Sequence, residues 1–306
     1  MTRLPPVTAV VPTHNRPELM QRAVESVLSQ QYAGDIEVIV VFDACEPFEP
    51  PVVVPPSRTL RIVANNRSRG LAGARNTGIT EALHPYVAFL DDDDYWLQGK
   101  LQAQMERFAE GSGTVLVGTA MVVNDGERTH ERLVPMETVG HADLLRDRMA
   151  GLHSSTFVFE KSALLGPVGM VDENLPGSYG EDYDLLLRTA LVAPISVVNR
   201  PLVSVSWTPG QSYFFGKWGA YADGLEYLLK THEGFRGDRK AHGRIASQIS
   251  FARAASGERR VSRRWVREAL RRDPTQIKAW LALGISLRLL SAPWVVGVVQ
   301  RMGKGI

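Results

Sequence analysis

The sequence predicts an α/β protein: a mostly parallel, doubly wound sheet flanked by helices, with a helical C-terminal appendage. Three observations carry this. Apolar runs of strand length alternate with segments of helical period, and the links between them are short. Beyond about residue 215 the strand-like runs stop, and the chain turns helical and basic. The expected division is therefore 1–214 for the α/β domain and 215–306 for the appendage.

Val7-Thr8-Ala9-Val10-Val11-Pro12 reads as the first strand, stopped by its proline. Pro17-Glu18 opens a helix to about Gln31, with Leu19, Ala23 and Val27 on its apolar face. Ile36 to Phe42 is a second strand that runs into Asp43. A Pro-rich link, Pro47 to Pro56, leads to a third strand, Thr59 to Val63. The turn-rich Asn65 to Gly70 precedes a helix from Leu71 to Leu83. Tyr86-Val87-Ala88-Phe89-Leu90 is a fourth, buried strand. Leu97–Phe108 is helical, Val115–Val123 a strand, and Thr138–Met149 helix and loop. Ser154–Phe159 reads as a strand, Lys161–Leu165 as a short helix, and Glu181–Val192 as a helix behind the glycine-rich Gly177–Gly180. Ile195–Val198 and Leu202–Trp207 are late strands. In the appendage, Arg263–Arg272 and Gln276–Leu290 read as two antiparallel helices joined at Asp273-Pro274. Their wording is tetratricopeptide-like, but a single copy makes no solenoid, and a plain helical hairpin is the simpler reading.

Composition excludes several classes. One cysteine, Cys45, rules out an intramolecular disulfide and a cysteine metal cluster, and fits a reducing compartment. The N-terminus lacks a signal-peptide core, and the most apolar late stretch, 279–299, is interrupted by Arg288 and Pro293. Net charge is only +2 but is unevenly placed: residues 230–306 hold 17 Lys and Arg against 5 Asp and Glu. A basic tail of this kind seeks an anionic partner: a membrane surface, a nucleic acid or the chain's own acidic body.

The fourth strand runs straight into Asp91-Asp92-Asp93-Asp94. Open α/β sheets bind ligands at the C-terminal ends of their strands. Four adjacent carboxylates repel one another, and an oxygen cluster suits a hard divalent ion such as Mg²⁺ or Mn²⁺. A solvated acidic loop or a helix cap is the alternative for the run taken alone.

Five signatures in order change that balance: Val10-Val11-Pro12-Thr13-His14-Asn15-Arg16; a strand-end Asp43; Gly70-Leu71-Ala72-Gly73-Ala74-Arg75-Asn76-Thr77-Gly78; Asp91-Asp92-Asp93; and Gly180-Glu181-Asp182-Tyr183-Asp184. Over roughly 7–210 the chain resembles the family 2 glycosyltransferases with a GT-A fold. Enzymes similar to it move a sugar from a nucleotide diphosphate donor (UDP- or another NDP-sugar) to an acceptor hydroxyl.

The resemblance implies a role for each motif. Asp93 closes the DxD triplet and would ligate the cation, while Asp91 reaches the ribose or the ion through water. Asp92, the variable middle residue, is grouped with the donor-nucleotide side, with a bystander pointing to solvent as the simpler reading, and Asp94 would cap the following helix. Pro12, Thr13, His14 and Arg16 would line the nucleoside pocket, and Asp43 would accept a base N–H. Relatives commonly carry two acids at that strand end; here Phe42-Asp43 keeps only the second, which leaves the base open. Arg75 and Asn76 would face the donor, Arg75 as a fork of donors for phosphate or as a brace for the DxD acids. Asp182 would be the base of an inverting transfer, with Glu181 orienting its neighbours. His153, Ser154 and Trp207 would touch donor sugar or acceptor; Trp207 stands where relatives often carry a histidine. The chain has no Gln-x-x-Arg-Trp motif, so one sugar per encounter is expected.

The acceptor is expected to be a glycan, a lipid-linked sugar or a small molecule. The basic tail suggests a peripheral membrane contact through Trp294-Val295-Val296 with Arg288, Arg301 and Lys304, on the cytoplasmic side at the inner face. A helix packed on the body or a homodimer contact is the competing use of that tail. The acidic body argues against nucleic acid. A nucleotidyltransferase would need a glycine-rich basic signature beside the first strand, which 10–17 lacks. A non-catalytic scaffold would not need the acids at 91, 93 and 182.

Overall fold

The computed structural model describes residues 4–111, 113–126, 128–207 and 217–301. The chain forms two compact units. The first comprises Met1–Leu144, Arg148–Glu173 and Glu181–Gln211; the second comprises Leu145–Asp147, Asn174–Gly180 and Ser212–Ile306.

In the first unit, β1 (Val7–Thr13), α1 (Pro17–Leu28), β2 (Ile36–Phe42), β3 (Arg58–Ala64), α2 (Leu71–Glu81) and β4 (Tyr86–Phe89) follow the alternation read from the sequence. They are succeeded by β5 (Tyr95–Trp96), α3 (Lys100–Glu110), β6 (Leu116–Asn124), β7 (Thr129–Arg132), β8 (Thr138–Val139) and α4 (His141–Arg146). A 3₁₀ turn at Ser154–Thr156 leads to β9 (Val158–Glu160), α5 (Lys161–Leu165), α6 (Glu181–Val192) and β10 (Ile195–Ser206).

The strands form one sheet in the order β3-β2-β1-β4-β9-β6-β10-β5, with β7 on β6 and β8 on β10. The half β3-β2-β1-β4 is parallel throughout. β9 is antiparallel to both β4 and β6, while β6 and β10 run parallel. The two late strands read from the sequence are one strand, whose pairing with β6 slips twice, between Val198 and Pro201 and between Pro201 and Ser204. Pro201 has no N–H to give a ladder, so the irregularity falls where the sequence cannot pair.

Pro12 sits in the central strand without harm. β1 pairs with β4 only as far as Val10↔Phe89, so at Pro12 that partner has already turned away. The parallel strands are buried on both faces: every residue of β1 and β2 is buried. One core lies between them and α1 and α3, from Val7, Val11 and Val38 to Met20, Val27, Leu101 and Met105. Two glycines let α2 lie close. A Cβ at Gly78 would stand 2.2 Å from Cγ1 of Val10, and one at Gly73 only 1.9 Å from the Ser68 carbonyl oxygen. Lys100, the first residue of α3, is fully buried. Its Nζ donates to Oε1 of Gln104 at 2.8 Å and stands 4.1 Å from the centre of the Trp96 ring. Burial pushes this amine well below the ordinary lysine range.

The second unit is helical: α7 (Trp218–Thr231), α8 (Gly234–Gly237), α9 (Arg239–Ala255), α10 (Arg259–Arg272), α11 (Ile277–Ser286) and α12 (Ala292–Arg301). α10 and α11 form the hairpin expected at Asp273-Pro274; Asp273 accepts from Thr275 and Gln276. The second helix ends earlier than the sequence suggests. Leu287 closes α11 and Arg288 takes the left-handed region, φ 65°, which ends the run. No helix among the described residues is long and apolar enough to cross a membrane.

Candidate active site

The acids stand just beyond β4, where Leu90 donates its last backbone bond to the Val10 carbonyl. Asp91, Asp94 and His153 converge: one ligand atom from each lies within 4.8 Å of the others. Asp94 is almost fully buried. It accepts from Ser155 Oγ at 2.6 Å and from the Ser206 backbone N–H at 3.1 Å, and His153 Nδ1 is 3.4 Å away. Asp94 is therefore not a helix cap, as the sequence suggested. The residue ahead of α3 is Gly99, and Asp94 turns inward because β5 separates it from that helix.

Asp91 is gripped from the other side. Arg75 Nη2 lies 2.5 Å from its Oδ1, and Ser154 Oγ donates to Oδ2 at 3.1 Å. Arg75 also reaches Oε1 of Glu181 at 2.9 Å and Ser154 Oγ at 2.9 Å. A fully buried guanidinium thus ties the strand-end acids to the start of α6. Burial alone would lower its basicity, but Asp91 and Glu181 reverse the sign and keep it charged. Burial by itself raises Asp91; the Arg75 charge outweighs it and holds Asp91 below the usual carboxylate range.

Asp92 was expected to point to solvent, and it does not. It is buried, accepts from Thr13 Oγ1 at 2.8 Å, and pairs with Arg16 at 3.2 Å. Burial pushes it up to about 6, with the neighbouring Asp93 charge adding to the effect. Asp93, expected to be the direct ligand, lies outside the Asp91–Asp94–His153 convergence. Its side chain faces Arg16 at 3.1 Å, and its carbonyl accepts from Arg22 at 2.7 Å.

The residues expected on the nucleotide side gather at the same edge. His14 Nδ1 is 2.6 Å from the Asp43 carbonyl oxygen. The Asp43 carboxylate accepts from Asn65 Nδ2 at 2.7 Å and from the Gly70 N–H at 2.9 Å, so it anchors the 65–70 loop. Asn76, expected to face the donor, instead holds the fold. It is buried, with its amide spent on the Val171 backbone and on Glu173. One helical step from Arg75 turns it about 100° around α2, away from the acids that Arg75 holds.

At α6, Asp182 accepts twice from Arg148 Nη2, at 2.9 and 2.8 Å, and from the Tyr183 N–H at 2.8 Å. Burial raises it, and Arg148 more than compensates, so the group stays ionised. Glu181 goes the other way: burial and the adjacent Asp182 push it up to about 7, against the pull of Arg75. Trp207 follows Ser206 at the end of β10. It is 40% exposed, its ring is covered by Arg132 at 5.0 Å, and the residue before it, Ser206, donates its N–H to Asp94.

Sequence reasoning missed Arg148, Ser155, Arg22 and Ser206. Arg148 lies 34 residues from Asp182, and Ser155 lies 61 from Asp94, with no motif linking them. Only the acidity of their partners demands them.

Two carboxylates and one imidazole are a donor set that could hold a divalent cation. Burial pushes Asp92 up to about 6 and Asp94 up to about 7, with the charges of the neighbouring acids adding to the effect. A pH consequence follows. Raised carboxylates bind more protons folded than unfolded, so their share of stability is highest at low pH and is lost as pH climbs through about 6 to 7. Thermal melts with EDTA should therefore give a lower Tm at pH 8 than at pH 6 from these groups. Added Mn²⁺ should raise Tm more at pH 8 than at pH 6; an equal rise at both would show that no proton leaves when the ion binds.

A parallel half-sheet with acids at its strand ends, opposed by a helix start carrying two more, defines a GT-A glycosyltransferase. The chain belongs to glycosyl transferase family 2, whose family model matches residues 8–165. It is 25% identical over 206 residues to the UDP-Glc:alpha-D-GlcNAc-diphosphoundecaprenol beta-1,3-glucosyltransferase WfgD of Escherichia coli, covering 67% of this chain and 78% of that one. It is 30% identical over 169 residues to the GalNAc(5)-diNAcBac-PP-undecaprenol beta-1,3-glucosyltransferase of Campylobacter jejuni; the match spans 53% of either chain. In fold it is similar to the mannosyltransferase PcManGT of Pyrobaculum calidifontis, solved with GDP-Man and Mn²⁺. That likeness has a TM-score of 0.57 at 18% identity, and covers 94% of this chain and 82% of that one.

Proposed function

We propose that this enzyme transfers one sugar from a nucleotide diphosphate sugar to the hydroxyl of a lipid-linked glycan, by a single inverting displacement. The observation that carries it is the Asp91–Arg75–Glu181 tie, which joins a strand-end acid to the start of the helix that carries Asp182. The two glucosyltransferase relatives, named for undecaprenol-linked acceptors, support the acceptor class.

Pro12, Thr13, His14 and Asp43 line the nucleoside side, and Arg16 stands ready for a phosphate oxygen. A divalent cation held by Asp91, Asp94 and His153, with Asp93 within reach of its outer shell, would neutralise the departing pyrophosphate. The acceptor hydroxyl gives its proton to an Asp182 oxygen as its own oxygen attacks the anomeric carbon. The bond from that carbon to the phosphate oxygen breaks, and the nucleoside diphosphate leaves with the electron pair. Arg148, with its side chain 44% exposed, must yield Asp182 to the acceptor first. Glu181 keeps Arg75 in place, and Ser154 and Trp207 border the sugar. The basic second unit would bring the enzyme to the inner face of the membrane, where such acceptors reside.

The test is a panel of nucleotide-sugars with Mn²⁺ or Mg²⁺. One donor should release its nucleoside diphosphate slowly without acceptor. EDTA and Asp94→Asn should each abolish this release. Turnover that survives EDTA would remove the cation from the site.

A further inference from the structure

The sequence placed the membrane contact on Trp294-Val295-Val296, but Val295 is 2% exposed and belongs to the core of the helical unit. α12 thus packs through one face, while Trp294 stays 61% exposed. The structure offers another surface, on α10 and α11.

α10 buries Ser262, Val266 and Ala269. On its opposite side Arg260, Arg264, Arg267 and Arg271 recur at helical spacing, all exposed. None of the four has a carboxylate partner among the described residues. The acids of this unit are spent elsewhere: Asp223, Glu226 and Glu258 on Arg253, and Glu268 on Arg272. α11 shows the apolar counterpart. It buries Ala279, Ala282, Ile285 and Ser286, yet Ile277 is 73% exposed, Trp280 53% and Leu287 50%. Ile277 and Trp280 fall on one face of α11, Leu287 stands at its C-cap, and Leu289 just beyond the helix is 75% exposed. The Trp280 indole N–H donates to the Pro274 carbonyl at 2.9 Å, which fixes the ring at the surface.

Both helices pack on α9 and on each other. On each helix the exposed face lies opposite the buried one, so each presents it to solvent. A row of unpaired arginines on one helix and exposed Trp, Ile and Leu side chains on the helix packed beside it match the two needs of a bilayer interface: anionic headgroups and a shallow apolar layer. Nucleic acid would use the arginines but leave the apolar row in water, and a second copy of the helical unit would meet like charge.

We infer that the α10–α11 face is a membrane-docking surface, selective for an anionic lipid bilayer. The inference rests on the proposed lipid-linked acceptor for its purpose, but not for its physics.

The test is flotation of the full chain with phosphatidylcholine vesicles, with and without phosphatidylglycerol. The chain should float with the anionic vesicles and stay behind with the neutral ones. Each arginine near the surface contributes roughly a fivefold change in partition. Arg264→Gln with Arg267→Gln should thus lower binding about 25-fold. Ile277→Ser with Leu287→Ser should weaken it at unchanged charge. Circular dichroism melts matching the parent confirm that the variants fold. Nucleoside diphosphate release measured without vesicles reports separately on the catalytic reading and should be unchanged in all variants. Flotation equal to the parent in both variants overturns the inference. So does preference for duplex DNA over the vesicles, or a dimer lost on Ile277→Ser/Leu287→Ser with vesicle binding intact.

Discussion

Asp182→Asn is expected to lower the rate of transfer about 10²–10⁴-fold, the usual worth of a positioned base, with donor binding unchanged. Asn keeps the shape, and its carbonyl still accepts from Arg148, so the α6 start should hold. What it loses is the lone pair that takes the acceptor proton. Single-turnover transfer and nucleotide titration together separate these outcomes. If Asp182→Asn transfers at the parent rate, the base lies elsewhere, and Glu181 is next in line.

Arg75→Met should do the greater damage to the fold. Methionine fills much of the same volume, but Asp91 and Glu181 would then face each other with no cation between them. Removing one partner of a buried ion pair costs about 3–5 kcal/mol, because the other charge is stranded. The midpoint of urea unfolding should fall by a corresponding amount, and donor turnover should vanish. Arg75→Lys should rescue only part of either, because one ammonium cannot span two carboxylates and the Ser154 hydroxyl in a planar fork. A variant as stable as the parent would mean that Glu181 and Asp91 already share a proton.

The first half of the sheet was legible because buried parallel strands are continuous apolar runs: Val7–Val11, Ile36–Phe42 and Tyr86–Leu90 read directly. Direction is not written in such a run, so the antiparallel setting of β9 could not be read. Two-residue strands such as β5 and β8 are shorter than any period. The single bent β10 was read as two strands because Asn199-Arg200-Pro201 breaks the apolar pattern while the backbone carries on. At the site, the residue types and their sheet edge were legible, and so was Arg75 as a brace. The division of labour among the four acids was not. Consecutive residues beyond a strand can turn inward or outward, and what decided Asp92 and Asp94 was Thr13, Arg16, Ser155 and Ser206, all distant in sequence.

Lys100 sits directly beneath this arrangement. Its neighbour Gln104 holds the carbonyls of Val117 and Thr156, and the Trp96 indole holds that of Ser155, the turn that carries the acids' hydroxyl partners. An amine sealed in this way, with its proton weakly held, meets no reagent while α3 lies on the sheet. Acylation of Lys100 can proceed only in molecules whose α3 has lifted away. Its labelling rate is therefore a clock for the breathing of the floor under the catalytic acids, read from a residue that the reaction itself never touches.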